Sequence, residues 1–152
     1  MMQQPAELSS AVAILSETNF FRGLTPVQLD AVAELTQFHT CAEAEQLYRI
    51  GQPAPLVYVL VVGTVRLSVG FGERNACAGD ILRRGDLFGW AAMTPRCNLR
   101  IATAVCLTAC TFLTIDGAGL VRLMDSDHSL GYRLMCRLND LISGTLTAFA
   151  GG

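Results

Sequence analysis

Val57-Tyr58-Val59-Leu60-Val61-Val62-Gly63-Thr64-Val65-Arg66-Leu67-Ser68-Val69 reads as two strands on either side of a two-residue break. β-branched and aromatic side chains suit a pleated, half-buried surface, and Gly-Thr between two such runs predicts a tight hairpin with Gly at its first central position. The same grammar continues outward. Gly70-Phe71-Gly72-Glu73 marks the next turn, and the Thr-, Val- and Ala-rich run from Ile101 to Ile115 is expected to hold two strands broken near Leu107 to Ala109. From Phe38 to Ile115, short β runs alternate with Gly, Pro and Asp, which predicts an all-β barrel or jelly roll.

On both sides of the strands the apolar period becomes helical. Leu8, Ala11, Val12 and Leu15 repeat at helical spacing within Ala6 to Glu17, and Asn19 to Leu24 breaks that pattern. Thr25, Pro26 and Gln28 form a capping-box signature that opens a second helix carrying Leu29, Val32 and Leu35. After the strands, Asp116 can cap a short helix bearing Leu120, Leu123 and Met124. Ser126 or Asp127 can cap a longer one from His128 to about Phe149. The chain therefore divides into a helical segment at 6–36, a barrel at 37–115 and C-terminal helices at 117–149, all in one domain. The last helix is apolar nearly all round, with Leu130, Leu134, Leu141 and Leu146 beside a stripe of Met135, Leu138, Ile142 and Phe149. That stripe has the three- and four-residue spacing of a helix–helix seam, so a homodimer through this helix is expected.

At 152 residues, with 51% hydrophobic composition and a mean hydropathy of +0.40, the chain has ample apolar surface for a single core. The balance of 11 Lys and Arg against 13 Asp and Glu gives a formal charge of -2. This leaves no excess of positive charge for general binding to a phosphate backbone, so direct nucleic-acid binding is not expected. No uninterrupted apolar run is long enough to span a bilayer, and Met1 to Glu7 lacks a basic-then-apolar secretory pattern. No membrane association and a cytoplasmic location are expected. The six cysteines, Cys41, Cys77, Cys97, Cys106, Cys110 and Cys136, contain no Cys-x-x-Cys pair and read as reduced, small buried hydrophobes, with thiol redox sensing or an iron–sulfur site as the alternatives. Cys106 and Cys110 are expected on one side of an extended run, about 13 Å apart, beyond disulfide reach.

Five segments in order carry a family resemblance. They are Phe20-Phe21-Arg22-Gly23-Leu24-Thr25-Pro26-Val27-Gln28-Leu29, Leu47-Tyr48-Arg49-Ile50-Gly51-Gln52-Pro53-Ala54, the Val57 to Leu67 run, Gly85-Asp86-Leu87-Phe88-Gly89-Trp90-Ala91-Ala92-Met93 with Arg100-Ile101-Ala102-Thr103, and Leu113-Thr114-Ile115-Asp116. Together they resemble the cyclic-nucleotide-binding domains from about Leu15 to Phe149. The resemblance implies a mainly β fold, a double-stranded β-helix or jelly-roll barrel flanked by N-terminal helices and a long C-terminal helix. It further implies a phosphate end made by Gly89, Ala91, Ala92 and Arg100, lined by Ile101, Ala102 and Thr103, with a base contact from Ser143 or Thr145 on the last helix.

The resemblance breaks at Trp90, where the family carries a glutamate that accepts the ribose hydroxyl. Tryptophan offers only an N–H donor. Its ring can plug the pocket as core or form a stacking wall for a planar ligand. Arg100 likewise has two readings, a phosphate partner or a clamp on backbone carbonyls; Arg96 competes for the phosphate role but lacks the Ala-Thr that follows Arg100. The implied ligand is a cyclic nucleotide, another phosphate-bearing molecule or none, with cyclic nucleotide binding altered or lost.

The same barrel shape serves metal enzymes built on clustered His and Glu, but only His39 and His128 occur here, read as far apart, so no metal site and no catalysis are expected. Asp125, Asp127, Glu43 and Glu45 read as solvated edges of turns and helices. The expected role is a non-catalytic sensor or regulatory module. The alternatives are the sensory part of a cyclic AMP receptor-like transcription regulator lacking its helix-turn-helix, or a purely structural domain that binds a protein partner.

Overall fold

The computed structural model describes residues 5–71 and 74–150, with side chains described for 5–68 and 81–144. Helix α1 (Pro5–Glu17) leads through a 3-10 turn (Asn19–Phe21) to α2 (Pro26–Ala33). Eight strands follow: β1 (Thr36–Cys41), β2 (Gln46–Tyr48), β3 (Leu56–Val62), β4 (Val65–Phe71), β5 (Arg74–Leu82), β6 (Leu87–Phe88), β7 (Thr103–Cys106) and β8 (Cys110–Asp116). A second 3-10 turn (Trp90–Met93) lies between β6 and β7, and the chain closes with α3 (Gly117–Ser126) and α4 (His128–Ala150). The strands form two antiparallel four-stranded sheets, ordered β1-β8-β3-β6 and β2-β7-β4-β5, facing each other as a jelly roll.

The Gly63-Thr64 break is not a hairpin. β3 pairs with β8 and β6, whereas β4 pairs with β7 and β5, so the chain passes from one sheet to the other at this point. The β7–β8 connection changes sheets at the same place. Leu107 N–H donates to the Thr64 carbonyl at 2.9 Å, and Thr64 N–H donates to Thr108 Oγ1 at 3.1 Å. Gly63 has φ 105, and a Cβ there would lie 2.6 Å from both the Ala109 carbonyl oxygen and Cys110 Sγ, so the two corners can nest only because no side chain intervenes. Local periodicity predicts both strand ends correctly but cannot say which neighbour each strand pairs with. The β4–β5 connection is a true hairpin, with Phe71 opposite Arg74.

The corner also corrects the cysteine geometry. Cys106 ends β7 and Cys110 begins β8, so the two thiols belong to different strands that meet at the corner, where Cys110 Sγ lies 3.5 Å from the Thr64 carbonyl oxygen. Cys41 is the cross-strand partner of Cys110. Burial, followed by neighbouring groups, pushes the Cys41 thiol up to about 12 and the Cys106 thiol up to about 11, so both are protonated at neutral pH.

Strand β3 is apolar on both faces because both faces are covered. Val57 and Val59 point to a core shared with the helices, while Tyr58 and Leu60 point into the barrel. Strand β8 divides the same way, Leu113 and Ile115 against the helices and Phe112 inside. The helix-side core is completed by Ala11, Leu15, Phe20, Phe21, Val32, Leu120, Leu130 and Leu134. The Thr25 capping box forms as expected: Gln28 N–H donates to Thr25 Oγ1 at 3.2 Å and Thr25 N–H to Gln28 Oε1 at 3.0 Å. Asp127, not Ser126, caps α4 through Leu130 N–H at 3.1 Å; Asp116 flanks α3 without a side-chain cap bond.

The expected seam on α4 is split by the fold. Leu138 is buried in the chain's own core and Ile142 packs against that core; Met135 is 41% exposed beside Tyr132 at 75%. Phe149 lies outside the residues whose side chains are described, as does Leu146. No helix among the described residues is long and apolar enough to cross a membrane.

Candidate functional site

Arg100 is the organising residue. It lies between two bends that zip together: its N–H donates to the Gln52 carbonyl and its carbonyl accepts from Gly51 N–H, both at 2.8 Å. Only 3% of its surface is exposed. The guanidinium reaches inward, Nη1 donating to the Gly89 carbonyl at 2.9 Å and Nη2 to the Leu56 carbonyl at 2.7 Å. Its carbon lies 4.0 Å from the ring centroid of Tyr48 and 5.7 Å from that of Tyr58, which adds cation–π attraction. Among the described residues no carboxylate pairs with it; the ion pairs there, Arg84 with Glu17 and Arg122 with Asp116, are exposed. Burial pulls the guanidinium below its ordinary value while Tyr48 and Tyr58 oppose that shift. Its Nε is buried without a hydrogen-bond partner.

The barrel interior around this arginine is aromatic. Tyr58 stacks on Phe88 at 5.2 Å between centroids, Tyr48 lies 5.8 Å from Tyr58, and Phe112 meets both Tyr58 and Phe88 edge-on at 5.7 and 5.8 Å. Burial raises the Tyr48 and Tyr58 hydroxyls above their ordinary value, so both remain neutral. The guanidinium thus lies where the barrel's inner layer meets the Gly89 turn, held by two carbonyls and a ring.

The other residues singled out from sequence fall around this centre. Gly89 precedes the 3-10 turn, its carbonyl also accepting from Ala92 N–H at 3.3 Å; Ala91 and Ala92 are buried. Trp90 is half-buried and packs with the helix-side core, not among the barrel aromatics. Ala102 is buried, Ile101 is exposed, and Thr103 Oγ1 accepts from Ile50 N–H at 3.1 Å, bracing the 49–52 bend. Ser143 is exposed on α4, and the Thr145 side chain lies outside those described. Arg96 is exposed in the following loop.

The turn at 90–93 bears directly on the helices. A Cβ on Gly117 would lie 2.5 Å from the Ala92 carbonyl oxygen, so α3 starts in backbone contact with the turn. The α3 helix packs on α4, and Arg137 of α4 binds the carbonyls of Asn19 and, at 3.2 Å, Arg22. A displacement at 89–93 therefore meets α3 without an intervening side chain, and α4 is tied to the N-terminal turn.

The cyclic nucleotide-binding domain model matches residues 38–127, more than half of the chain and all eight strands from the third residue of β1 onward. The chain belongs to the cyclic nucleotide-binding domain family. A provisionally named cyclic nucleotide-binding protein from Geobacter metallireducens GS-15 superposes with a TM-score of 0.75 at 19% identity, covering 90% of this chain and 98% of that one. The regulatory domain of Toxoplasma gondii PKA, solved with cAMP, gives 0.73 at 17% identity over 93% of this chain and 50% of that one. A Rhodopseudomonas palustris protein provisionally named a potassium channel protein is 24% identical over 132 residues, 87% of this chain. The chain spans only 30% of that relative's length.

Within this cyclic nucleotide-binding domain, sequence reasoning picked out Arg100 but missed its aromatic bed. Tyr48, Tyr58, Phe88 and Phe112 come from four strands remote in sequence. The available signal was the period of two: Tyr58 and Leu60 alternate with Val57 and Val59, so the tyrosine had to face the other side of the sheet from the valines.

Proposed function

We propose that this chain is a non-catalytic regulatory module whose phosphate cassette is held closed by its own arginine, so that cyclic nucleotide binding is weakened relative to an open cassette. The observation that carries this reading is the fork of Arg100 on the carbonyls of Gly89 and Leu56. A phosphate recruiting that guanidinium would have to break both bonds. Hydrogen bonds to a charged group contribute about 1.5 to 3 kcal/mol each, so surrendering them without full replacement costs about 3 kcal/mol, roughly a hundredfold in affinity. A sugar hydroxyl that finds no acceptor at Trp90 loses about 1 to 3 kcal/mol more. The output path is the contact between the 90–93 turn and Gly117, which would pass a change in the cassette to α3 and α4.

Calorimetric titration of cyclic AMP and cyclic GMP into the wild type and Trp90→Glu tests this. Neither protein is expected to give saturable heat at micromolar ligand, because the glutamate restores a sugar acceptor without freeing Arg100. Micromolar binding by the wild type would overturn the reading.

A further inference from the structure

The end of β1 and the turn after it bring together three chemically unlike donors. One His39 ring nitrogen, Cys41 Sγ and one Glu45 carboxylate oxygen all lie within 4.8 Å of one another. His39 belongs to a barrel strand and lies two residues from Cys41 on one face of β1, opposite Phe112 and Cys110 of β8. Glu45 arrives from the turn. Ala44, at φ 69, folds the chain back so that Ala44 N–H donates to the Cys106 carbonyl at 2.8 Å and Cys106 N–H donates to the Glu45 carbonyl at 2.9 Å. Ala42 N–H donates to Glu45 Oε1 at 3.4 Å, which holds the carboxylate over this turn beside Cys41 and His39.

We propose that His39, Cys41 and Glu45 form a binding site for a divalent cation of the zinc class. One imidazole, one thiol and one carboxylate are the donor types that zinc accepts, at about 2.0 to 2.3 Å. In a tetrahedron those bonds set ligand atoms about 3.5 Å apart, within reach of small rotations of two exposed side chains. His39 and Glu45 are solvent-exposed while Cys41 is buried. The ion would therefore sit at the barrel rim with its fourth position facing water. Binding releases the Cys41 thiol proton to solvent. Such an ion would pin the edge strand β1 to the β1–β2 corner. The site is separate from Arg100 and independent of whether the cassette takes a nucleotide.

The full chain, stripped with a chelator and reduced, is titrated with zinc chloride by calorimetry and thermal melting, and with cobalt chloride by absorption. One ion per chain is expected, with the melting temperature raised by about 5 to 10 °C at a hundredfold excess over Kd. Cobalt should give thiolate-to-metal charge transfer together with tetrahedral ligand-field bands. His39→Ala and Glu45→Gln, at exposed positions, should fold as the wild type and weaken zinc by more than the roughly ten- to hundredfold that loss of an outer partner costs. Cys41→Ser should remove the charge-transfer band. Absence of saturable binding, unchanged affinity in the His39→Ala, Glu45→Gln double variant, or a cobalt spectrum without a thiolate band would each overturn the site. The second of these outcomes would assign the ion to the exposed Cys97 or Cys136.

Discussion

Replacing Arg100 by alanine separates a clamp from a waiting ligand group. In the clamp, the substitution removes two charge-assisted bonds, at 2.9 and 2.7 Å, and the stacking on Tyr48 at 4.0 Å. At about 1.5 to 3 kcal/mol per bond the gross loss is about 3 to 6 kcal/mol. Part of it is returned, because the variant no longer buries a charge that lacks a carboxylate partner or leaves Nε unpaired. A net loss of about 3 kcal/mol remains. For a domain of this size that lowers the melting temperature by about 6 to 12 °C. Scanning calorimetry of the wild type, Arg100→Ala and Arg100→Lys measures it. Lysine keeps the charge but loses the planar fork, so it should reach only one carbonyl and fall between the other two. An arginine held in reserve for phosphate would behave as a surface residue, within about 0.5 kcal/mol of wild type. A melting temperature unchanged in Arg100→Ala would therefore refute the clamp, and with it the reason for expecting weak nucleotide binding.

Three further outcomes follow from single contacts. Gly63→Ala should cost about 2 to 5 kcal/mol in urea unfolding, since the new methyl meets the Ala109 carbonyl at a backbone angle that L-residues rarely adopt; a neutral result would mean the two corners are not nested. Asp127 has its carboxyl held below the usual range by the bond from Leu130 N–H and then by Gln28, so its contribution is fully present above the unfolded value near pH 3.9 and is lost as pH falls through the lower folded value. Asp127→Asn, which keeps the cap, should flatten that acid limb of the melting curve; an unchanged limb would assign it elsewhere. A homodimer through α4 should rest on Tyr132 and Met135, which are exposed, and not on Leu138, which is not. Light scattering at micromolar concentration should give a dimer that Met135→Asp dissociates, and a wild-type monomer would end that expectation.

Much of the fold was legible because its signals are local. The Thr25 capping box, the helical period of α1 and the break between Cys106 and Cys110 each need only a few consecutive residues, and each forms where it was read. The family was legible too, since five short segments kept their order. Strand pairing was not. Gly63-Thr64 has the composition of a hairpin, and nothing within that stretch says that β3 finds a better neighbour in β8, more than forty residues later.

The candidate site divides along the same line. Sequence by itself singled out Arg100 and Trp90, through the Gly85 to Met93 and Arg100 to Thr103 segments that resemble the family, and showed a near-even charge balance of 11 Lys and Arg against 13 Asp and Glu. Only the tertiary structure decided what these residues touch. It turned Arg100 onto two carbonyls and a tyrosine ring, laid Trp90 against the helices, buried Leu138, and drew His39, Cys41 and Glu45 to one rim of the barrel. The physical reason is range. Helix caps and alternating strands are fixed by interactions over one to four residues, whereas the partners of the buried Arg100 guanidinium are set by the closing of the barrel, which brings it onto carbonyls 11 and 44 residues away.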